Sequence, residues 1–216
     1  MNTLARKILM AATGLFLCFF LLIHFLGNTQ LFLEPEHAQK GFNAYSKFLS
    51  NNLLIKGVSY LLYLSIIAHA IYGIIITNKN NKAKGSYKSD HRGRASKWYS
   101  RSMGVLGTLI LIFLVIHFQN FWYQYKFGEV GLDPYGNKDL YGVVVASFQN
   151  SWLVVLYVIS MIALAYHLTH GIQSGIRTLG LFHPKFIRWV NVFAVIYSIV
   201  ICTGFALMPI YIYFTT

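Results

Sequence analysis

Five long apolar stretches dominate this sequence of 216 residues. Each holds about 18 or more mostly apolar residues, the length that an α-helix needs to cross the hydrocarbon core of a bilayer. The stretches cover residues 7–28, 53–77, 102–122, 151–174 and 189–214. The polar segments between them are too short to form independent domains. The sequence therefore predicts an all-α fold: a single membrane domain, residues 1–216, built as a bundle of five transmembrane helices.

Composition agrees with a membrane protein and excludes several other classes. Hydrophobic residues make up 56% of the chain and charged residues 11%, and the mean hydropathy is +0.53. A typical soluble domain carries about 25% charged residues, so this chain has too few charges to cover a water-facing surface. Two cysteines, both in apolar stretches, exclude a disulfide-bonded scaffold. The first stretch is longer than the apolar core of a signal peptide, so we expect it to be retained.

The net charge of +12 lies on one side of the predicted bundle. Thirteen Lys and Arg residues and a single acid, Asp90, fall in the N-terminal segment and at 78–101 and 175–188, whereas five basic and five acidic residues lie on the opposite side. The positive-inside rule then makes the N-terminus cytoplasmic and the C-terminus external. Because this rule alone accounts for the charge, we expect no nucleic-acid partner. The alternative is that the basic face docks a soluble protein.

Each of the first four stretches contains one histidine that stands out: His24, His69, His117 and His167. An imidazole in hydrocarbon needs a hydrogen bond or a metal, so such a residue is a functional candidate. At 1.5 Å per residue, His24 and His117 lie about 22–26 Å from the cytoplasmic end of the hydrocarbon core, and His69 and His167 about 10–12 Å from it. Two imidazoles at one level are what an iron porphyrin needs on its two axial faces. The sequence thus predicts two stacked b-type haems.

Small residues lie near His69 and His167, the two histidines closer to the cytoplasmic side. Gly73 and Gly171 each follow a histidine by four residues, with Ser65 or Ala163 one turn before it, and this leaves room on the histidine's face for a porphyrin edge. Close helix packing explains either motif equally well when it is taken singly. We expect the second ring nitrogen of each ligand to donate a hydrogen bond, in the case of His69 to Ser65 or to a carbonyl one turn back.

A weak internal repeat relates the first and third stretches. The sequence around His24, Leu-Ile-His-Phe, resembles Val-Ile-His-Phe around His117, which predicts four histidine helices around a central space with the fifth helix outside it. The absence of C-x-x-C-H excludes c-type attachment, and two ligands at each level disfavour zinc. His170 is an alternative to His167 as a ligand, or a contact for a haem propionate. The other histidines, in loops, are expected to be solvated: His37, His91 and His183.

These features together resemble a known family. The stretches Ala68–Gly73 and His167–Gly171, with Ser174 following, and the loop from Asp139 to Phe148 are similar to the cytochrome b membrane anchor of succinate:menaquinone oxidoreductases and fumarate reductases, in its five-helix, di-haem, single-subunit form. The resemblance covers nearly the whole chain. It implies that His69 and His167 hold the proximal haem iron and that His24 and His117 hold the distal one, the same pairing that depth predicts.

The resemblance also implies partners and a route for electrons. A flavoprotein subunit and an iron–sulfur subunit would dock on the cytoplasmic face of a bacterial inner membrane, and electrons from succinate would pass through both haems to menaquinone. The chain itself would not oxidise succinate. Candidates for contacts to the propionates are Arg6, Arg101, Lys97 and Trp98, and candidates for the quinone site are Asn28, Gln30, Glu34 and Glu36. Ala165 stands where some family members carry a carboxylate, which puts a transmembrane proton route in doubt.

Two other classes remain open from the sequence. A di-haem cytochrome can serve another membrane dehydrogenase, such as formate dehydrogenase or hydrogenase, or act alone as a transmembrane reductase. A haem-free transporter or channel can use membrane histidines to relay protons.

Overall fold

The fold is all-α. The computed structural model describes residues 3–83, 98–181 and 183–216. The helices are α1 (Thr3–Asn28), α2 (Pro35–Asn51), α3 (Leu53–Ala83), α4 (Trp98–Arg101), α5 (Met103–His117), α6 (Gln124–Phe127), α7 (Leu140–Phe148), α8 (Ser151–Thr178) and α9 (Ile187–Thr215). A 3-10 turn, Thr29–Phe32, follows α1, and a π-helical segment, Phe118–Tyr123, joins α5 to α6. Within these described ranges, an isolated bridge between Leu132 and Lys138 is the one extended pairing.

Five of the helical segments are long and apolar enough to cross a membrane. These five spans are Leu4–Phe32, Leu53–Lys79, Met103–Phe127, Ser151–Thr178 and Ile187–Thr215. Each is longer than the stretch predicted at the same place, because the helices continue beyond the apolar run at one or both ends. Large apolar side chains point outward along them: Leu64 is 65% exposed and Ile199 57%. Such a surface suits lipid, so the chain is a multi-pass membrane protein.

The first four spans form the corners of a four-helix bundle. The first span packs against the second and the fourth, and the third packs against the fourth and less extensively against the second. The first and third spans therefore occupy one diagonal, and the second and fourth occupy the other. The fifth span packs mainly along the outside of the fourth. This agrees with the arrangement that the internal repeat predicts.

The two ends of the bundle differ. We call the end that holds the N-terminus the N-face, and the end that holds α2, α7 and the C-terminus the C-face. On the C-face, α2 begins at Pro35, where the missing N–H costs nothing, and α7 is capped by the Asp139 carboxylate, which accepts from the Gly142 N–H at 3.0 Å. Part of the basic N-face lies outside the described residues, namely Lys84, Lys88, Arg92, Arg94 and Lys97, together with His91.

A buried asparagine ties the C-face elements together. Asn43 of α2 is 0% exposed, and its amide donates to Asp133 at 3.1 Å and to Asp139 at 2.8 Å. Its carbonyl oxygen accepts from the backbone N–H of Tyr141 at 2.9 Å. One side chain thus joins α2 to the loop and to the start of α7. Burial acts to raise the pKa of Asp133, but donors from Asn137, Asn43 and Tyr135 outweigh it and hold the pKa below its ordinary value.

We predict that Asn43→Leu lowers the free energy of unfolding by about 3 kcal/mol, because similar volume is kept while buried hydrogen-bonding groups lose their partners. Thermal unfolding in detergent measures the change. Gln149→Leu is the control, since the Gln149 amide donates to Thr216 at an exposed position. An equal melting temperature for wild type and Asn43→Leu would contradict the prediction.

Candidate functional site

The two histidines expected at the external level meet across one diagonal of the bundle. The ring centroids of His24 in the first span and His117 in the third span are 5.8 Å apart, with an interplanar angle of 87°. We call these two residues the C-face pair. Neither ring faces the surrounding lipid fully, since both side chains are half-buried.

The other two histidines meet across the second diagonal. The ring centroids of His69 in the second span and His167 in the fourth span are 6.2 Å apart, with an interplanar angle of 70°. We call them the N-face pair. The four rings are therefore brought together two by two, in the combinations that depth along the helices predicts.

Two glycines lie at the level of the N-face pair, and the sequence analysis did not predict them. A Cβ added at Gly14 of the first span would lie 3.0 Å from Cε1 of His69, and one at Gly107 of the third span would lie 3.8 Å from Cε1 of His167. Each glycine precedes the C-face histidine of its own span by ten residues, so the pairs lie about 15 Å apart along the bundle. That equal spacing was the signal available in the sequence.

Two groups of the first span contact the ring of His69. The Thr13 hydroxyl oxygen lies 3.3 Å from Nδ1 of His69, and the carbonyl of Met10 accepts a hydrogen bond from the same ring. Both partners belong to the first span. The expectation that Ser65 or a carbonyl of the same helix fills this role is wrong, because the neighbouring helix approaches closely at Gly14 and brings its own polar groups to the ring.

The C-face pair has polar partners as well. Nδ1 of His24 lies 3.3 Å from the amide nitrogen of Asn28, which also donates to the His24 carbonyl at 2.7 Å. Nδ1 of His117 lies 3.3 Å from the hydroxyl of buried Tyr157, which also hydrogen-bonds the side chain of Asn120. In all three contacted rings Nδ1 is engaged, so Nε2 is the nitrogen left for a further partner.

His167 differs from the other three histidines. Its Nδ1 is buried, and no hydrogen-bond partner for it is present among the residues that the structure describes. A buried polar atom without a partner costs about 1–3 kcal/mol. The expectation that the second ring nitrogen of each ligand donates a hydrogen bond is therefore not met at His167 within the described residues.

Aromatic rings enclose the C-face pair. The ring centroids of Phe20 and Phe205 lie 5.3 and 5.5 Å from that of His24, and those of Phe113 and Phe121 lie 5.7 and 5.4 Å from that of His117. The π-helical segment Phe118–Tyr123 begins directly after His117. Such segments are rare and occur often at functional sites, because the extra residue in the turn changes which side chains face inward. Here this segment carries Asn120 and Phe121.

The two glycines of the H-x-x-x-G motifs have different surroundings. A Cβ added at Gly73 would meet Cε of Met10 at 3.3 Å, so this glycine lets the first span come close. A Cβ added at Gly171 would meet nothing within 4 Å. Gly171 lies one turn from His167, on the same face of the helix. The space beside the N-face pair is thus open on the side of the fourth span.

The remaining sequence candidates lie at three kinds of position. Arg101 lines a groove of about 370 Å³ between the second and third spans, together with Thr77, Gly104, Val105, Thr108 and Leu109. Arg6 is half-buried near the start of the first span, Trp98 contacts Tyr166, and Lys97 lies outside the described residues. Among the four quinone candidates, Asn28 contacts the ring of His24. Gln30 donates to the Gly27 carbonyl, and Glu34 and Glu36 are exposed.

The other histidines lie apart from the pairs. His37 and His183 are exposed, as expected for solvated residues, but His37 lies in α2 and not in a loop. His170 is half-buried in the fourth span, three residues beyond His167. The ring contact to His69 belongs to His167, which favours His167 over His170 as the partner of His69.

The geometry of each pair fits two axial ligands of one metal ion. A ligating imidazole nitrogen lies about 2 Å from its metal, and the ring adds about 1 Å on each side, so opposed ligands have centroids about 6 Å apart. The two separations, 5.8 and 6.2 Å, match this value. Among the described residues, no group of three or more His, Cys, Asp or Glu side chains is placed to hold a metal ion. A site with only two protein ligands suits a metal whose other ligands come with a macrocycle.

Comparison with protein-family models, with curated proteins and with solved structures finds no match for this chain. A functional proposal for this chain therefore rests on its fold and on the arrangement of the four histidines.

We predict that Gly14→Val lowers the melting temperature in detergent, because the new side chain must displace the His69 ring and such overpacking costs about 1–3 kcal/mol. Gly57→Val is the matched control, since a Cβ at Gly57 meets nothing within 4 Å. Equal melting temperatures for the two variants would show that the first span does not approach His69 as described.

Proposed function

We propose that this protein is a di-haem cytochrome b that anchors a succinate:menaquinone oxidoreductase or fumarate reductase to the membrane. The proposal rests on one observation: the four histidines form two pairs, one on each diagonal of the bundle. Within the pairs the ring centroids are 5.8 and 6.2 Å apart. His69 and His167 would ligate one haem b, and His24 and His117 the other. When bound, the two haems supply one-electron redox chemistry at two depths of the membrane.

The chain's own residues would orient the ligands and exclude water. The aromatic rings around the C-face pair, with Tyr157 and Asn28, hold those imidazoles in a fixed arrangement. Gly171 leaves a porphyrin edge room beside the N-face pair. Arg101, in the groove between the second and third spans, and Arg6 are the candidates for charge-assisted hydrogen bonds to propionates. His170 is a further candidate for such a contact.

The charge distribution supports an orientation and a set of partners. By the positive-inside rule a basic N-face would be cytoplasmic and the C-terminus outside. The bacterial inner membrane is what the family resemblance implies. A flavoprotein and an iron–sulfur subunit would dock on the N-face, and menaquinone would react near the C-face pair. Asn28 is the first quinone candidate to test, because its amide touches His24. By itself the chain would not oxidise succinate.

Two alternatives make different predictions for the purified protein. A haem-free proton-coupled transporter would show no reduced b-type absorption band. A di-haem subunit of another dehydrogenase would show the band but would not copurify with a succinate-oxidising flavoprotein. Haem quantification and identification of the copurifying subunits therefore separate all three functions.

We predict that His69→Ala and His167→Ala each remove the same haem and leave the other, whereas His24→Ala and His117→Ala do the converse. An iron that loses one of two axial ligands loses most of its hold on the protein. Haem content per chain and redox difference spectra of the remaining haem measure the effect. His37→Ala and His183→Ala, at exposed positions, are the controls and should retain two haems.

Removal of different haems by His69→Ala and His167→Ala would refute the pairing. A wild-type preparation without porphyrin would refute the proposed function.

We predict that Gly171→Leu removes the N-face haem, although a Cβ there meets no protein atom within 4 Å. The added side chain would occupy the space assigned to the porphyrin edge. Haem content is the measurement, and Gly57→Leu, whose Cβ also meets nothing within 4 Å, is the matched control. Retention of both haems in Gly171→Leu would show that the space beside Gly171 is not part of the haem site.

A further inference from the structure

The hydroxyl of Thr13 donates its one hydrogen within its own helix. Its oxygen donates to the carbonyl of Leu9 at 2.7 Å and lies 3.2 Å from the carbonyl of Met10, both in the preceding turn of the same helix. A hydroxyl has one hydrogen and two lone pairs. With the hydrogen directed to a carbonyl, only a lone pair remains for Nδ1 of His69 at 3.3 Å.

The direction of the Thr13 hydrogen bond determines the tautomer of His69. Because the Thr13 oxygen must accept, Nδ1 of the ring carries the hydrogen. In a neutral imidazole the other nitrogen, Nε2, then carries the lone pair that a metal needs. At His117 the contact leaves the direction of the bond open, since the Tyr157 hydroxyl can donate or accept. At His24 the Asn28 amide nitrogen can only donate, so Nδ1 accepts, and ligation through Nε2 requires the amide to turn so that its oxygen accepts from Nδ1–H.

We infer that Thr13 is a positioning residue for the N-face haem: it fixes His69 in the tautomer that presents Nε2, and its hydrogen bond from Nδ1–H sets the redox potential of that haem. The inference rests on the proposed function. A hydrogen bond from Nδ1–H increases the basicity of the ligating nitrogen. A more basic ligand stabilises the more highly charged, oxidised iron, so the contact lowers the midpoint potential.

The test is a redox titration of the purified protein that follows both haems. Thr13→Val keeps the shape of the side chain and removes the acceptor, so the midpoint potential of the N-face haem should shift upward while that of the C-face haem stays constant. Thr13→Ser retains a hydroxyl and should return the potential to the wild-type value. Thr178→Val is the matched control, because the Thr178 hydroxyl also donates to a carbonyl four residues back, that of Ser174 at 2.8 Å.

The same substitution in a one-haem variant shows which haem's midpoint potential changes. In His24→Ala, which should keep only the N-face haem, Thr13→Val should still raise the potential of the haem that remains. Thr13→Ala replaces Thr13→Val in both backgrounds if the valine variant does not accumulate.

The outcomes separate the inference from the proposed function. Two haems with unchanged potentials in Thr13→Val would overturn the role of Thr13 and leave the proposed function in place. A shift or haem loss that Thr13→Ser does not reverse would also overturn it, since the effect would then come from packing. A wild-type protein without haem would overturn both.

Discussion

The arrangement of this bundle reflects the need of each buried imidazole nitrogen for a hydrogen-bond partner or a metal ion. Four histidine rings lie within a bundle of apolar helices, where each polar nitrogen without a partner is costly. The bundle brings the rings together in two pairs, one on each diagonal, and supplies side-chain contacts to Nδ1 of His24, His69 and His117. Because the four spans follow one another around one centre, the first faces the third and the second faces the fourth, and each diagonal brings two rings together.

The two ends of the bundle are built differently, and the difference matches the proposed division of work. The C-face is closed by α2, α7 and the hydrogen bonds of Asn43, which cross-link segments nearly 100 residues apart. The N-face carries basic residues and a groove lined by Arg101. A closed end would suit a haem enclosed by aromatic rings, and a basic end would suit the proposed docking of soluble subunits.

Glycines allow the helices of the bundle to approach each other closely beside the N-face pair. Gly14 admits the ring of His69, and Gly107 lies against His167. The first span supplies Thr13 and Met10 at the same level, so one short segment of one helix both makes room for the ring and holds its nitrogen. The H-x-x-x-G pattern indicated the glycines that follow His69 and His167. Gly14 and Gly107 were missed because their ten-residue spacing to a histidine marks their level but not the helix that they face.

The amino-acid sequence by itself determined the number of spans, their all-α character and the level of each histidine. Length and apolarity decide whether a helix crosses a bilayer, and a rise of 1.5 Å per residue converts sequence position into depth. Tertiary structure alone decided which helices share a diagonal, that Thr13 and not Ser65 contacts His69, and that Nδ1 of His167 lies buried without a described partner. These features depend on the rotation of each helix about its axis and on contacts between distant segments, and neither depth nor composition carries that information.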